Sequence, residues 1–504
     1  MKKLEADVVV IAAGASGLAA ACAAAEKGAS VIVFEKGATT GGAANMGMGF
    51  FAAGSKIQDE QMIDFTPDDA FKLFMEYTHW RVNARLVRKY VDMSASTVEW
   101  IRDMGVEFLG AFKYFKTSKA TWHIVKAPGT NKIAERSASY MLKRMTEHAK
   151  ELGVEFYLRT PVKKILMENG HVVGVLAQSE DGEEYEAYCS CVIVCTGGMG
   201  DSPEMVKKYI GYTWGEDLFS FRIPGITGDG LRMVWDAGGA KSPMTMELTY
   251  CCPELNNLFT TLQETMKQAN LMVNLDGQRF MNEEVLNITP FTGNALSLQR
   301  ENKGFTIITD EILDDYAKNG LDFIHYHFGI HGTERWQSEL EAYRRGDIVE
   351  AGGLAELQKV MNTTKSFFEA DSLEDLCAQT GIKLKNLEKT IEEYNAMCGT
   401  VDRQFCKNHK YMRPIKGKKY YAAMWLPSGY GTLGGIRTND KMEVLTEEGF
   451  KIPGLYAAGI DANTIYADTY LFYMPGNTMG FALNSGRMAG YNAVDYIDSD
   501  EFVE

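Results

Sequence analysis

Near the amino terminus the chain reads Ala12-Ala13-Gly14-Ala15-Ser16-Gly17, the spacing G-x-G-x-x-G with alanine in the first place. This pattern binds phosphate without a charged side chain. Gly14 lets the backbone approach a pyrophosphate, and Ala15 and Ser16 open a helix whose unpaired N–H groups and positive dipole end face the anion. Ala12 puts a methyl where the tight turn takes glycine, a modest departure. Glu35 ends the next apolar strand about 20 residues on, where an acid takes the ribose hydroxyls of an adenosine. Lys36 follows it. The alternative for Glu35 is a solvated strand-end acid.

Other stretches extend this chemistry. The run Gly41-Gly42-Ala43-Ala44-Asn45-Met46-Gly47-Met48-Gly49 lets backbone lie against a flat ring system. Thr196-Gly197-Gly198 ends a buried strand, and Gly228-Asp229-Gly230 opens a helix. Ile452 to Asp461, with Gly459, is a strand and turn near the carboxyl end. Pro475-Gly476-Asn477-Thr478-Met479-Gly480 opens another helix. That helix start aims N–H groups at the N1–C2=O edge of a flavin, where reduction places negative charge.

The elements that must hold these residues are an apolar strand over Val8–Ile11, a helix over Gly17–Lys27 and a strand over Ser30–Phe34, a βαβ unit. Amphipathic helices follow over 66–104 and 132–152. Val154–Leu158, Val162–Met167 and Val172–Gln178 alternate as strands of an antiparallel insert, and Val162 is counted with the cofactor-binding residues. A buried strand covers Cys191–Cys195, and a helix runs to about Ala237. Leu455–Ala458 reads as strand and Asn477–Ile497 as helix. Residues 245–431 are aromatic-rich, of mixed strand and helix, and lack nucleotide turns. The expected organisation is one discontinuous nucleotide domain, 1–244 and 432–504, with a second domain inserted at 245–431.

The constellation resembles the fumarate reductase and succinate dehydrogenase flavoprotein family, and within it the soluble single-flavin branch of flavocytochrome c fumarate reductases, urocanate reductases and 3-ketosteroid dehydrogenases. The carriers are VVVIAAGASGLAAA, VFEKG...GG, VIVCTGG, TGDG, MVNLDGQRFMNEE, IPGLYAAGID and GNTMGFALNSGRMAG. They cover nearly the whole chain. The resemblance implies an α/β fold, with a Rossmann-like FAD-binding domain and an inserted α+β capping domain closing over the flavin. It implies non-covalent FAD, since no histidine lies in the 41–49 loop where complex-bound members attach theirs.

The chain departs from this family where fumarate would sit. The proton-donating arginine, five residues after the Asn of Arg279-Phe280-Met281-Asn282-Glu283, is matched by Asn287. A substrate-binding histidine is matched by Tyr250, a second by Tyr430 or Gly431, and an arginine by Tyr473. A small dicarboxylate needs cations and donors on both carboxylates, so fumarate is not the expected substrate. A wall of Tyr250, Tyr430, Phe472 and Tyr473 suits a larger, flatter and less charged molecule. Tyrosine can also protonate carbon beside a carbonyl, with Tyr473 ranked first, Tyr250 second and Tyr430 third. The alternative is that these tyrosines pack and turn their hydroxyls to water.

Three readings of function follow. The first is an ene-reductase that passes hydride from flavin N5 to an activated C=C bond, of a bulky apolar or cyclic enone. The second is the reverse reaction, desaturation of a cyclic ketone. The third is a flavin electron-transfer subunit, which the large inserted domain argues against. Direction is set by the electron donor, left open among reduced flavin, NAD(P)H and a redox protein.

The remaining signals narrow the class. The chain has 504 residues, 45% hydrophobic and 24% charged, with a net charge of -15. That balance opposes a nucleic-acid or anionic-membrane partner. Nine cysteines, mostly in apolar runs, suggest reduced thiols and a cytoplasmic protein. Cys251-Cys252 reads as structural, since adjacent cysteines make strained disulfides. The opening Met1-Lys2-Lys3 reads as the approach to a strand rather than a leader, and no apolar run reaches about 18 residues. His325, His327 and His331 have spacing that could hold a metal, but no nearby Cys or acid completes a set. The expectation is no metal. Gly429-Tyr430-Gly431-Thr432-Leu433-Gly434 repeats the glycine spacing without a following helix, so no second dinucleotide site is expected. His123 and Lys126 either line the pocket or belong to a loop surface.

Overall fold

An apolar strand flanked by apolar strands is buried on both faces, and the amino-terminal run obeys this rule. The computed structural model describes residues 1–220, 223–253, 265–323 and 366–499; the His325–His331 cluster lies outside them. Strand β1 (Lys2–Ile11) begins earlier than its apolar stretch, but only Val8–Ile11 are continuously buried. It pairs in parallel with β2 (Val31–Phe34), Val8 opposite Val31, and with β9 (Glu184–Val194), Val8 opposite Cys191. Helix α1 (Ala15–Glu26) connects β1 to β2 and is buried along almost its whole length, as an alanine-rich helix with no polar face can be.

Strand β6 (Glu155–Tyr157) extends the sheet in parallel beside β2. This corrects the expected antiparallel insert: only β7 (Val162–Glu168) and β8 (His171–Gln178) form that hairpin, and β8 runs on against β9. The reason is aromatic packing across the sheet. Tyr157 packs tilted on Phe34 at 5.2 Å and edge-on against Tyr185 at 5.3 Å, which draws β6 to β2.

Between these strands lie β3 (Gly49–Phe51), β4 (Phe108–Phe112) and β5 (Trp122–Val125), a small antiparallel sheet. Around it are α2 (Lys56–Glu60), α3 (Pro67–Tyr77), α4 (Ala84–Asp103) and α5 (Ala138–Glu151). Helices α6 (Pro203–Tyr209) and α7 (Asp229–Asp236) follow β9.

By internal contacts the chain divides into two compact units. The first comprises Met1–Gly211, Arg222–Glu247 and Gly431–Glu504; the second comprises Tyr212–Phe221 and Leu248–Tyr430. In the second, β12 (Leu271–Asn274) pairs with β13 (Gly304–Thr309), and β13 and β14 (Phe367–Ala370) flank the first part of β15 (Tyr420–Gly435), all antiparallel. The short β10 (Phe219–Ser220) pairs with Ser428 and Gly429. Helices α8 (Thr289–Ser297), α9 (Asp310–Asn319), α10 (Leu373–Thr380) and α11 (Leu384–Met397) complete it. Its core includes Phe305, Phe367, Tyr394 and Trp425. The R-F-x-N-E motif is a buried charge cluster here: Arg279 donates to Glu283 and Asp402, and Lys407 to Tyr394.

Strand β11 (Thr245–Cys251) carries the chain from the first unit to the second, and β15 carries it back. Strand β16 (Glu443–Leu445) and β17 (Lys451–Ala457) then complete the large sheet, β17 in parallel with β9. The bridge β18 (Ala462–Asn463) pairs with the end of β15. Helix α12 (Asn477–Ile497) packs along α1.

Candidate functional site

The turn after β1 is an open cradle. Helix α1 is capped by Gly14 with no side-chain acceptor, so no side chain takes the N–H groups of its first turn. A Cβ added at Gly14 would meet nothing within 4 Å, whereas one at Gly17 would lie 1.9 Å from the Ala12 carbonyl oxygen. Gly14 therefore leaves room for a ligand, and Gly17 admits the close strand–helix crossing. Ala12 has φ +82°, the left-handed region that glycine prefers. The Glu35 carboxylate accepts from Ala13 N at 2.7 Å and Gly37 N at 2.6 Å, which holds it at the turn. Gly41 N donates to Ala13 O at 2.7 Å, and a Cβ at Gly42 would lie 3.4 Å from Gly14 Cα. Ala43 lies in the short helical turn that follows, Gly42–Met46. An uncapped helix end, bare backbone and an adjacent acid fit the pyrophosphate and ribose of an adenine dinucleotide.

A second cluster forms beside it. Asp461 is fully buried, and its carboxylate accepts from the N–H groups of Thr196, Gly197 and Gly198 and from the Thr196 hydroxyl. Its charge is spent on holding that turn. A Cβ at Gly459 would collide with Ser16 Oγ at 2.5 Å, so the 459–461 turn lies against the start of α1. Lys36 pairs with Asp229 at 2.5 Å, and Thr227 donates to Asp229 at 3.0 Å. Val162 opens β7 as a buried residue, just beyond the segment where Thr160 N donates to Glu35 O.

The start of α12 closes the group. Gly476 caps it with φ +89°, and its oxygen accepts from Phe51 N at 2.9 Å. A Cβ at Gly47 would meet Met479 at 2.3 Å, and one at Gly49 would meet the His123 oxygen at 2.1 Å. Met48 O accepts from Val125 N and from Ser137 Oγ. Asn477 is internally engaged: Tyr90 donates to its Oδ1 at 2.9 Å, and its amide donates to Met474 O. Thr478 N donates to the Tyr470 hydroxyl at 3.2 Å.

The three tyrosines divide between the units. Tyr473, in the first, is half-buried against Phe115 and Tyr77, and burial raises its pKa. Tyr250, in the second, is buried and donates to Leu286 O at 2.9 Å. Tyr430, also in the second, is exposed. The Tyr430 glycine repeat lies within strand β15.

His123 is not a loop residue. It is fully buried on β5, with Nδ1 donating to Thr121 O at 3.0 Å and Nε2 2.6 Å from Ser55 Oγ. Burial pushes its pKa down to about 4, so the ring is neutral and Nε2 accepts the Ser55 hydroxyl. Lys126 pairs with Glu107. All nine cysteines are free thiols. Among the described residues no group of three or more His, Cys, Asp or Glu could hold a metal, and no helix is long and apolar enough to cross a membrane.

Sequence reasoning missed the aromatic surround of Tyr473. Tyr114 meets Phe472 at 4.7 Å, Phe115 meets Phe472 at 5.6 Å, and Tyr466 meets Tyr470 at 4.9 Å. It also missed Glu247, whose signal was available: an acid between Met246 and Leu248.

The chain is similar to known proteins over nearly its whole length. A vinyl phenol reductase of Lactiplantibacillus plantarum is 31% identical over 509 residues, covering 99% of this chain and 98% of its own. A cytochrome-type fumarate reductase of Shewanella frigidimarina is 25% identical, covering 97% of this chain and 77% of its own. The solved 3-ketosteroid-Δ4-(5α)-dehydrogenase of Rhodococcus jostii RHA1 has the same fold, with a TM-score of 0.74, 22% identity and 97% of each chain covered. Residues 7–473 match the FAD binding domain family. The chain belongs to that family, as an FAD-dependent oxidoreductase acting on CH–CH groups.

Proposed function

We propose that the protein reduces an alkene conjugated to an aromatic ring or to a carbonyl in a bulky, largely apolar molecule. One observation carries this: the chain leading into α12 is walled by Tyr77, Tyr114, Phe115, Phe472 and Tyr473, with no cation in the position of the family's arginine. Aromatic faces bind flat conjugated molecules and offer nothing to a dicarboxylate. The likeness to a vinyl phenol reductase supports the same substrate class.

In this reading FAD is held without a covalent bond, and when reduced it supplies hydride to one alkene carbon. The residues proposed to hold it are the backbone of Gly14–Gly17, the 41–49 loop and the first turn of α12, with Glu35 on the ribose. Asp461 and the Lys36–Asp229 pair keep the surrounding turns in shape. Tyr473 gives the proton to the other alkene carbon; its neutral hydroxyl is secured by burial. The second unit, Tyr212–Phe221 with Leu248–Tyr430, serves as the capping domain, in which the hydroxyl of Tyr250 already holds a backbone carbonyl.

The test is anaerobic. The purified flavoprotein is reduced and mixed with 4-vinylphenol, cinnamaldehyde, cyclic enones, urocanate or fumarate. Reoxidation by a conjugated aryl alkene or enone is expected, with fumarate no faster than buffer. Rapid reoxidation by fumarate would overturn the reading. Tyr473→Phe should slow reoxidation by the preferred alkene about a hundredfold to ten-thousandfold and leave FAD bound.

A further inference from the structure

Four polar residues of the first unit, Ser55, Gln58, Thr121 and His123, are at most 1% exposed and have no role in the function proposed so far. Burying polar groups costs stability unless each is paired. These are paired, and their bonds run in one direction. Ser55 Oγ accepts from Gln58 N at 3.2 Å and donates to His123 Nε2 at 2.6 Å. His123 Nδ1 donates to Thr121 O at 3.0 Å, while its ring stacks on Phe50 at 6.4 Å. A carbonyl oxygen only accepts, so Nδ1 carries the proton and Nε2 is the acceptor. Gln58 accepts Ser55 N on Oε1 at 3.1 Å and donates from Nε2 to Ala120 O at 2.9 Å. Gln58 and His123 thus hold two successive carbonyls, those of Ala120 and Thr121.

Thr121 passes this hold on to the start of α12. Its hydroxyl donates to Pro475 O at 3.1 Å, and its carbonyl also accepts Ala52 N at 3.1 Å. One residue before Ala52, Phe51 N donates to Gly476 O at 2.9 Å. The same Gly476 oxygen accepts Gly480 N, the first bond of the helix. A Cβ at Gly476 would lie 2.6 Å from Phe51 N, so the cap has no slack on that side. Pro475 and Gly476 are therefore both pinned, one by the Thr121 hydroxyl and one by β3. The backbone of His123 also lies against Gly49 of the 41–49 loop.

We infer that His123 is a positioning residue of the flavin site: through Thr121 it fixes where the first turn of α12 points, and with that how readily the flavin is reduced. This rests on the FAD placement proposed above, with the start of α12 at the N1–C2=O edge. Reduction puts negative charge on that edge, and a helix N-terminus favours it. The effect falls off within the first turn, so a small tilt of the helix start weakens it. The imidazole acts through Thr121 and not on flavin or substrate.

The experiment measures the midpoint potential of the full-length FAD-loaded protein at neutral pH by spectroelectrochemistry. Thr121→Val removes the hydroxyl and keeps the shape. It should make reduced FAD bind about tenfold less tightly relative to oxidised FAD, a fall of about 30 mV. His123→Leu should give the same fall. His123→Asn, which keeps a donor where Nδ1 stands, and Thr121→Ser, which keeps the hydroxyl, should stay close to the wild type. An equal fall in Thr121→Ser would overturn the proposal, because the hydroxyl would then not be what matters. If His123→Leu does not fold or does not hold FAD, Thr121→Val decides. Gly476→Ala separates the inference from the reading beneath it, since its Cβ presses on Phe51 N and moves the helix start directly. An unchanged potential in Thr121→Val, even with a lower urea midpoint, beside a shifted one in Gly476→Ala would show that the Thr121 bond only supports the fold. Unchanged potentials in both would overturn the placement of FAD at α12, and the inference with it.

Discussion

Asparagine at position 461 would swap one carboxylate oxygen for an NH2 group in a site with no water access. Oδ1 accepts from Gly198 N at 2.8 Å, and Oδ2 from Thr196 N and Gly197 N, while the Thr196 hydroxyl reaches both. An asparagine oxygen can keep one side. On the other, its NH2 faces a buried N–H, and leaving that donor unpaired costs about 1–3 kcal/mol. The retained bonds lose their charge, a further cost of about 1 kcal/mol. Asp461→Asn should therefore destabilise the cofactor-free protein by about 2–4 kcal/mol, read as a lower urea midpoint at unchanged slope. The Thr196–Gly198 turn should loosen as well, and FAD titration should show weaker binding. A loss below about 0.5 kcal/mol would mean that the turn holds itself and that the carboxylate is incidental.

Ala12→Gly should raise stability by about 0.5–1 kcal/mol, because relief of left-handed strain, worth about 1–2 kcal/mol, exceeds the added flexibility of the unfolded chain; a fall in the urea midpoint would show that the Ala12 methyl packs productively. His123 has a folded pKa of about 4 against 6.5 when unfolded, so the unfolded chain takes up the extra proton between those values. Its contribution is intact above about pH 6.5 and is lost as pH falls toward 4, about 3 kcal/mol in all. His123→Asn should remove that slope from urea unfolding measured at several pH values, and an unchanged slope would contradict the buried neutral ring. Acid or heat should release intact FAD, checked by chromatography of the supernatant; flavin left on the denatured chain would disprove non-covalent attachment.

The glycine turns were legible as strand–helix turns because their backbone geometry is local. Gly14 and Gly17 mark a strand–helix turn whatever the rest of the chain does, and the glycine before Asn477 announces a helix that runs over the expected residues to Ile497. What escaped was non-local. Nothing in Glu155–Tyr157 says that it pairs with β2, since the decision lies with Phe34 and Tyr185. Asp461 looks like a ligand-facing acid until the chain brings Thr196, 265 residues away, against it. His123 gives no sign in sequence of being buried, because alternation in a short strand marks two faces but not which one is covered. The Tyr473 surround combines α3, the 114–115 segment and the segment before α12, and its aromatic residues are unremarkable until they meet.

The packing of α12 on α1 sets a length. Added Cβ atoms at Gly486 and Gly490 would run into the backbone oxygens of Ser16 and Ala20, so the two helices touch backbone to backbone in the same direction. Ten residues of α12 separate its cap, Gly476, from Gly486. The cap of α1, Gly14, stands two residues before Ser16, so at about 1.5 Å per residue the positive end of α12 lies about 12 Å ahead of that of α1. The protein thus carries a rigid gauge between two anion-attracting points, calibrated by helix pitch before any ligand arrives. Deleting one residue between Asn477 and Gly486 would shift the forward point by about 1.5 Å and turn it by about 100°. The gauge tolerates a change of side chain but not a change of count.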